Sequence, residues 1–237
     1  LSQLTSFFDQ RLNLLVNFIL NSFLVYDIHC MVALEKWKQL NRDHYSRWFD
    51  AVGEIEMLNS LATFAFNNPG YCFPDIVEGN PVIMATEAAH PLIPPAECVS
   101  NDFSIGKDEK LLLVTGSNMS GKSTFLRTVG INLLLAQCGA PVCAKQFRCS
   151  TMRILTSIRI NDSLQEHTSY FMAELKRLRQ IITVLETGAP ALVLIDEVLR
   201  GTNSSDKTHG SEALIKQLIA HPALAIFATH DLSLSEL

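Results

Sequence analysis

Leu111-Leu112-Leu113-Val114-Thr115-Gly116-Ser117-Asn118-Met119-Ser120-Gly121-Lys122-Ser123-Thr124 joins an apolar run to a Gly/Ser-rich turn and then to a long apolar-periodic segment. The turn carries G-x-x-x-x-G-K-[ST] in full, a pattern in which successive backbone N–H groups wrap phosphate oxygens. A helix that starts at Lys122 adds the partial positive charge of its N-terminus. Phosphate contact is therefore assigned to residues 116–124. Lys122 is spaced to reach a β/γ-phosphate pair and the Ser123 hydroxyl to ligate Mg²⁺. The four fixed positions arise by chance in roughly one per cent of chains this long, and the strand before and helix after lower that further.

The texture of the surrounding sequence agrees. Apolar runs at 111–115, 152–160, 191–195 and 223–229 alternate with helical patterns at 122–137, 168–186 and 208–220, which predicts an α/β fold with a mostly parallel sheet. Ligands of such sheets sit at the carboxyl ends of the strands. Two of those ends carry chemistry. Ala191-Leu192-Val193-Leu194-Ile195 runs into Asp196 and Glu197, suited to a Mg²⁺ shell and to polarising a water. The 223–229 run ends at His230, within reach of a terminal phosphate or that water. Each feature alone has a structural reading, a solvated strand end or a core histidine; their coincidence with the phosphate loop favours the functional one.

Upstream the chain is helical in character. Residues 12–34 are rich in Leu, Ile, Val and Phe, but Asn13, Asn17 and Asn21 recur at four-residue spacing and Asp27 follows, so one amphipathic helix is expected rather than a membrane span. Two further helices are expected at 35–49 and 50–67, with Val52, Ile55, Leu58, Ala62 and Ala65 forming an apolar stripe. Trp37, Trp48 and Phe64 read as helix packing rather than as a base-stacking platform. Asn67-Asn68-Pro69-Gly70 supplies turn chemistry, and the composition changes near residue 72. The first residue is Leu, so the sequence reads as a fragment of a longer protein.

At 237 residues, 48% hydrophobic and 18% charged, the chain has material for a full core, which excludes disorder and low-complexity classes. A net charge of -5 excludes a generally basic nucleic-acid coat. Six cysteines without a C-x-x-C pair suit reduced thiols, hence a reducing, cytoplasmic setting.

Three stretches together resemble the ATPase domain of the MutS family of DNA mismatch-repair proteins, a branch of the ABC ATPases: TGSNMSGKST, LVLIDEVLRGTNSSD and FATHD. The second is the most specific, because Asp196-Glu197 followed by Arg200-Gly201-Thr202 is similar to the family's run from its second acidic motif to the D-loop. Tyr170-Phe171-Met172-Ala173-Glu174 resembles the family segment in which a serine, here Ser169, reaches across a dimer to the partner's γ-phosphate. His90-Pro91-Leu92 and Asn101-Asp102 resemble the opening of that domain, and residues 54–62 the end of its lever helices.

The resemblance implies a P-loop NTPase of ABC type at 72–237 behind a helical lever or connector at 1–71. It implies Mg²⁺-dependent ATP hydrolysis with Lys122, Glu197 and His230 as catalytic residues and Ser123 and Asp196 at the metal. A homodimer through the ATPase domains and coupling to DNA through parts of a parent protein also follow, with no direct membrane contact. Cys98 and Val99 stand where the family stacks an aromatic on adenine, Thr168 and Tyr170 differ from its common residues, and the wording of 201–207 is closer to divergent members. A different class stays open: a nucleotide-gated dimerisation or scaffold module, tethered near a membrane, without a repair role. A transporter or chromosome-maintenance ABC protein fits less well, since no L-S-G-G-Q is present.

Overall fold

The computed structural model describes residues 14–106, 109–117, 120–158, 170–198, 204–230 and 234. The chain divides into two compact units, Leu1–Ala62 and Thr63–Leu237.

In the first unit, α1 (Leu14–Leu24) and α2 (Tyr26–Asn41) take the place of the single helix expected at 12–34. Val25 sits between them in the left-handed region (φ 46, ψ 41), and the two axes bend by 81°. The Asn21 side chain accounts for the break: its Oδ1 accepts the Asp27 N–H at 2.8 Å, supplying the acceptor that a continuous helical ladder would have provided. Residues 12 and 13 lie outside the described residues. Among the described residues no single helix is long and apolar enough to cross a membrane; only these two bent halves together match a span in length and composition.

The boundary expected between residues 49 and 50 also moves, because α3 runs unbroken over Tyr45–Asn67. Trp37 and Trp48 pack ring to ring with centroids 6.2 Å apart. The stripe of α3 is not buried: Val52, Ile55 and Leu58 are 53%, 66% and 60% exposed. The periodicity therefore identified a helix without identifying a covered face.

The second unit holds two four-stranded sheets. The first, in the order β1-β5-β2-β3, comprises β1 (Asp75–Val77), β2 (Val82–Ala88), β3 (Asn101–Gly106) and β5 (Gln146–Ser150). Its β2 pairs antiparallel with both β3 and β5, while β1 and β5 are parallel. The second is wholly parallel, in the order β4-β8-β7-β6: β4 (Leu111–Thr115), β8 (Ala223–Thr229), β7 (Ala191–Asp196) and β6 (Arg153–Ser157). The strand expected at 152–160 stops at Ser157; residues 159 and 160 are outside the described residues. Helices α4 (Lys122–Gln137), α5 (Tyr170–Leu185) and α6 (Ser204–Ile219) connect the strands.

The near-continuous apolar runs of β7 and β8 follow from burial on both faces. Leu192, Leu194, Leu224 and Ile226 pack in one core with Leu126, Val129 and Leu133 of α4. Their alternate neighbours Val193, Ile195, Ala225 and Phe227 pack in the other with Ile181 of α5 and Ile215 and Leu218 of α6. Successive side chains of a strand point to opposite faces, so each apolar run serves two cores.

Candidate functional site

Register gathers the chemistry at one edge. Val114 pairs with Ala228, and Ala228 with Asp196, so the ends of β4, β8 and β7 lie level. The turn after β4 and the residues that follow Thr229 and Asp196 therefore converge at the carboxyl ends of the strands, as expected for such a sheet.

The turn folds around its own lysine. Lys122, almost fully buried, donates from Nζ to the carbonyls of Gly116 and Ser117 at 2.9 Å each. Gly116 has φ 156, and a Cβ there would meet Ser120 Oγ at 2.8 Å, so a side chain would collide with the turn it must leave open. Gly121 caps α4 at φ 89. Asn118 and Met119 lie outside the described residues.

Ser123, in the first turn of α4, donates its hydroxyl to Asp196 Oδ2 at 2.6 Å, joining loop and strand end. Two hard oxygen donors lie side by side here, Asp196 4% exposed, and together with substrate and water oxygens such a pair could hold a Mg²⁺ ion. Among the described residues no group of three or more His, Cys, Asp and Glu could hold a metal ion by itself, so a fully protein-built metal cage is not what this arrangement offers.

Glu197 leaves the strand in the left-handed region, φ 51, while its N–H still donates to Ala228 at 2.9 Å. A non-glycine residue held there costs about 1–3 kcal/mol and persists only where its surroundings dictate it. That backbone turns the side chain to His230, whose Nε2 lies 2.7 Å from Glu197 Oε1. Lys122 Nζ lies 3.3 Å from His230 Nε2 and 3.5 Å from Nδ1; with the Nε2 proton assigned to the Glu197 bond, Nδ1 is the ring nitrogen left to accept from the lysine. Lys122, Ser123, Asp196, Glu197 and His230 thus form one continuous polar cluster. The contact between Glu197 and His230 is not expected from the sequence, which directs Glu197 at water and His230 at a terminal phosphate or that water.

Beside this cluster opens a cleft of about 920 Å³, with Gly121, Lys122, Thr124 and Thr128 on one side and His90, Cys98, Val99 and Phe103 among its other walls. Cys98 and Val99, flagged in the sequence as replacing an aromatic, do line it. Ser169, Arg200, Gly201, Thr202 and Asn203 lie outside the described residues.

An α/β unit whose parallel strands end in a lysine-centred turn and paired acids defines the class, and comparison with known proteins gives the family. Residues 112–237 match the family model for MutS domain V. The chain is 34% identical over 194 residues to the DNA mismatch repair protein MutS of Chlorobium phaeovibrioides, covering 79% of this chain and 22% of that protein. With the MutS of Clostridium tetani identity is 33% over 216 residues, 87% of this chain and 24% of the relative. With a probable DNA mismatch repair protein Msh6 of Drosophila melanogaster it is 32% over 196 residues, 79% and 16%. The chain belongs to the MutS family, and it spans less than a quarter of the length of these relatives.

Proposed function

We propose that the chain is the ATPase part of a divergent MutS-type protein, a P-loop domain of ABC type that binds and hydrolyses Mg²⁺-ATP as a homodimer and couples this cycle to DNA. One observation carries the reading: a single polar cluster contains the loop lysine, the Ser123–Asp196 oxygen pair and the Glu197–His230 pair. The backbone N–H groups of the turn and the Lys122 ammonium neutralise the β- and γ-phosphates. Ser123 and Asp196 would hold Mg²⁺, which supplies charge stabilisation at those phosphates. Glu197 orients the attacking water and takes its proton as the water oxygen bonds to the γ-phosphorus and the bond to the β–γ bridging oxygen breaks, giving ADP and phosphate. His230 fixes the plane of the Glu197 carboxylate through Oε1. The names of the relatives support a role in DNA mismatch repair for the parent protein.

Lys122→Ala tests the core of this reading. Removal of the one ammonium in the turn should abolish tight binding of a fluorescent ATP analogue; unchanged affinity would overturn the site. The coupling to DNA is tested by turnover of the full-length protein: DNA should alter the rate, whereas a rate indifferent to DNA favours a nucleotide-gated scaffold instead.

A further inference from the structure

Asn132 is fully buried in the middle of α4, in an otherwise apolar stretch, and both N–H groups and the oxygen of its amide have partners. Its Nδ2 donates to the carbonyls of Ala89 and Thr128, both at 2.9 Å. Its Oδ1 accepts the Cys143 N–H at 2.8 Å. Ala89 in turn donates its own N–H to the Cys143 carbonyl at 2.8 Å. Ala89 and Cys143 therefore form one direct backbone bond, and the Asn132 amide stands in for the second. Only a group that donates and accepts at once can close this ring.

The ring lies where the chain leaves β2 to form the wall of the cleft. Residue 90 follows immediately, and the wall is tied back on itself by Ile93 N–H to the His90 carbonyl at 3.0 Å. The Cys98 thiol donates to that same carbonyl at 3.8 Å. The His90 side chain has a fixed tautomer. Its Nδ1 accepts the Leu92 N–H at 3.2 Å, so in the neutral ring Nε2 carries the proton and the wall presents one N–H donor. Burial and then Arg127 hold the ring below its ordinary pKa, which favours this neutral form.

We propose that Asn132 is a positioning residue that locks the His90 wall to the phosphate-gripping helix, so that the His90 N–H is held where it reads the base of a nucleoside triphosphate. This rests on the nucleotide reading above and deepens it. The triphosphate is gripped at the first turn of α4 and the base wall is fastened three turns along the same helix, so one rigid element sets the distance between the two ends of the ligand. Thr124 and Thr128, which face the cleft between them, lie on that helix.

The test compares Mg²⁺-ATP with Mg²⁺-tripolyphosphate, which has the phosphates without a base, on the full chain by equilibrium binding. Asn132→Leu keeps the volume and removes all three bonds; Asn132→Asp keeps the acceptor and loses both donors. Both should weaken ATP about tenfold and leave tripolyphosphate within about twofold. His90→Ala, at a partly exposed position that does not threaten the core, should give the same base-selective loss, and Asn132→Leu added to it should cost ATP little more. An equal fall for both ligands, or no fall for either, would overturn the proposal, as would a His90→Ala variant that binds ATP like the wild type. If the wild-type chain bound neither ligand, the nucleotide reading would fail and this inference with it.

Discussion

Glu197 and His230 lie far apart in sequence and 2.7 Å apart in space, and a substitution at either tests what the pair does. His230→Asn should leave ATP affinity unchanged and lower turnover by about tenfold to a hundredfold, the usual loss when a group that orients a reacting residue is removed. Steady-state kinetics decide it, and a rise in KM at constant turnover would contradict the assignment. His90 gives a pH-dependent prediction. Burial, and Arg127 second, lower its pKa from 6.5, so the unfolded chain binds a proton that the folded chain resists. Its contribution to stability is present above the unfolded value and is lost as pH falls toward the folded one. His90→Gln should flatten the shift in urea midpoint between about pH 7.5 and about pH 5.5; an unchanged shift would contradict it. The turn that holds Lys122 and Ser123 was legible because its motif has fixed spacing and its strand and helix flanks follow directly, whereas Asp196 was marked only as an acid that ends an apolar run. The Glu197–His230 contact was not, since it depends on the pairing of Asp196 with Ala228 across two strands. Asn132 left one signal, an amide among apolar neighbours, whose partners only the fold supplies.

At the scale of elements, α4 approaches β7 so closely that a Cβ on Gly130 would meet Leu194 Cδ1 at 2.8 Å. Leu194 is 1% exposed, so its terminal methyl can yield only by repacking within the core. Gly130→Ala should therefore destabilise by about 1–2 kcal/mol, overpacking outweighing the roughly 1 kcal/mol gained in helix propensity. Leu194→Val should relieve the clash, so urea unfolding of the double variant should show a coupling between the two sites; additive energies would contradict the packing account. The alternation of strands and helices from residue 111 onward was readable because β7 and β8, buried on both faces, are written as unbroken apolar runs. The antiparallel strands were less so: Asn101–Gly106 and Gln146–Ser150 mix polar and apolar residues and take their order from pairing with β2. The break at Val25 was hidden because it needs a β-branched residue in the left-handed region and an Asn21 side chain turned inward, neither of which periodicity registers.

Across the whole molecule, burial separates the two units. The parallel sheet is covered on both faces, whereas α3 contains no buried residue over its full length. A dimeric cycle makes a claim about Ser169, which the family resemblance assigns to the partner's γ-phosphate. Ser169→Ala should leave ATP binding by one subunit nearly unchanged and weaken ATP-dependent dimerisation. Mixed with Lys122→Ala subunits, it should retain at most one competent composite site per dimer. Activity that tracked the sum of independent subunits would contradict a role for Ser169 at the partner's site. The central claim, that the strand-end cluster divides ATP binding from ATP chemistry, is tested most directly by Mg²⁺-dependent ATP binding and hydrolysis measured side by side for Asp196→Asn and Glu197→Gln. Glu197→Gln should keep Mg²⁺-ATP affinity and lose about a hundredfold or more in turnover, and Asp196→Asn should lose the Mg²⁺-dependent part of binding itself. Equal loss of binding in both variants, with hydrolysis falling only in step, would contradict the account.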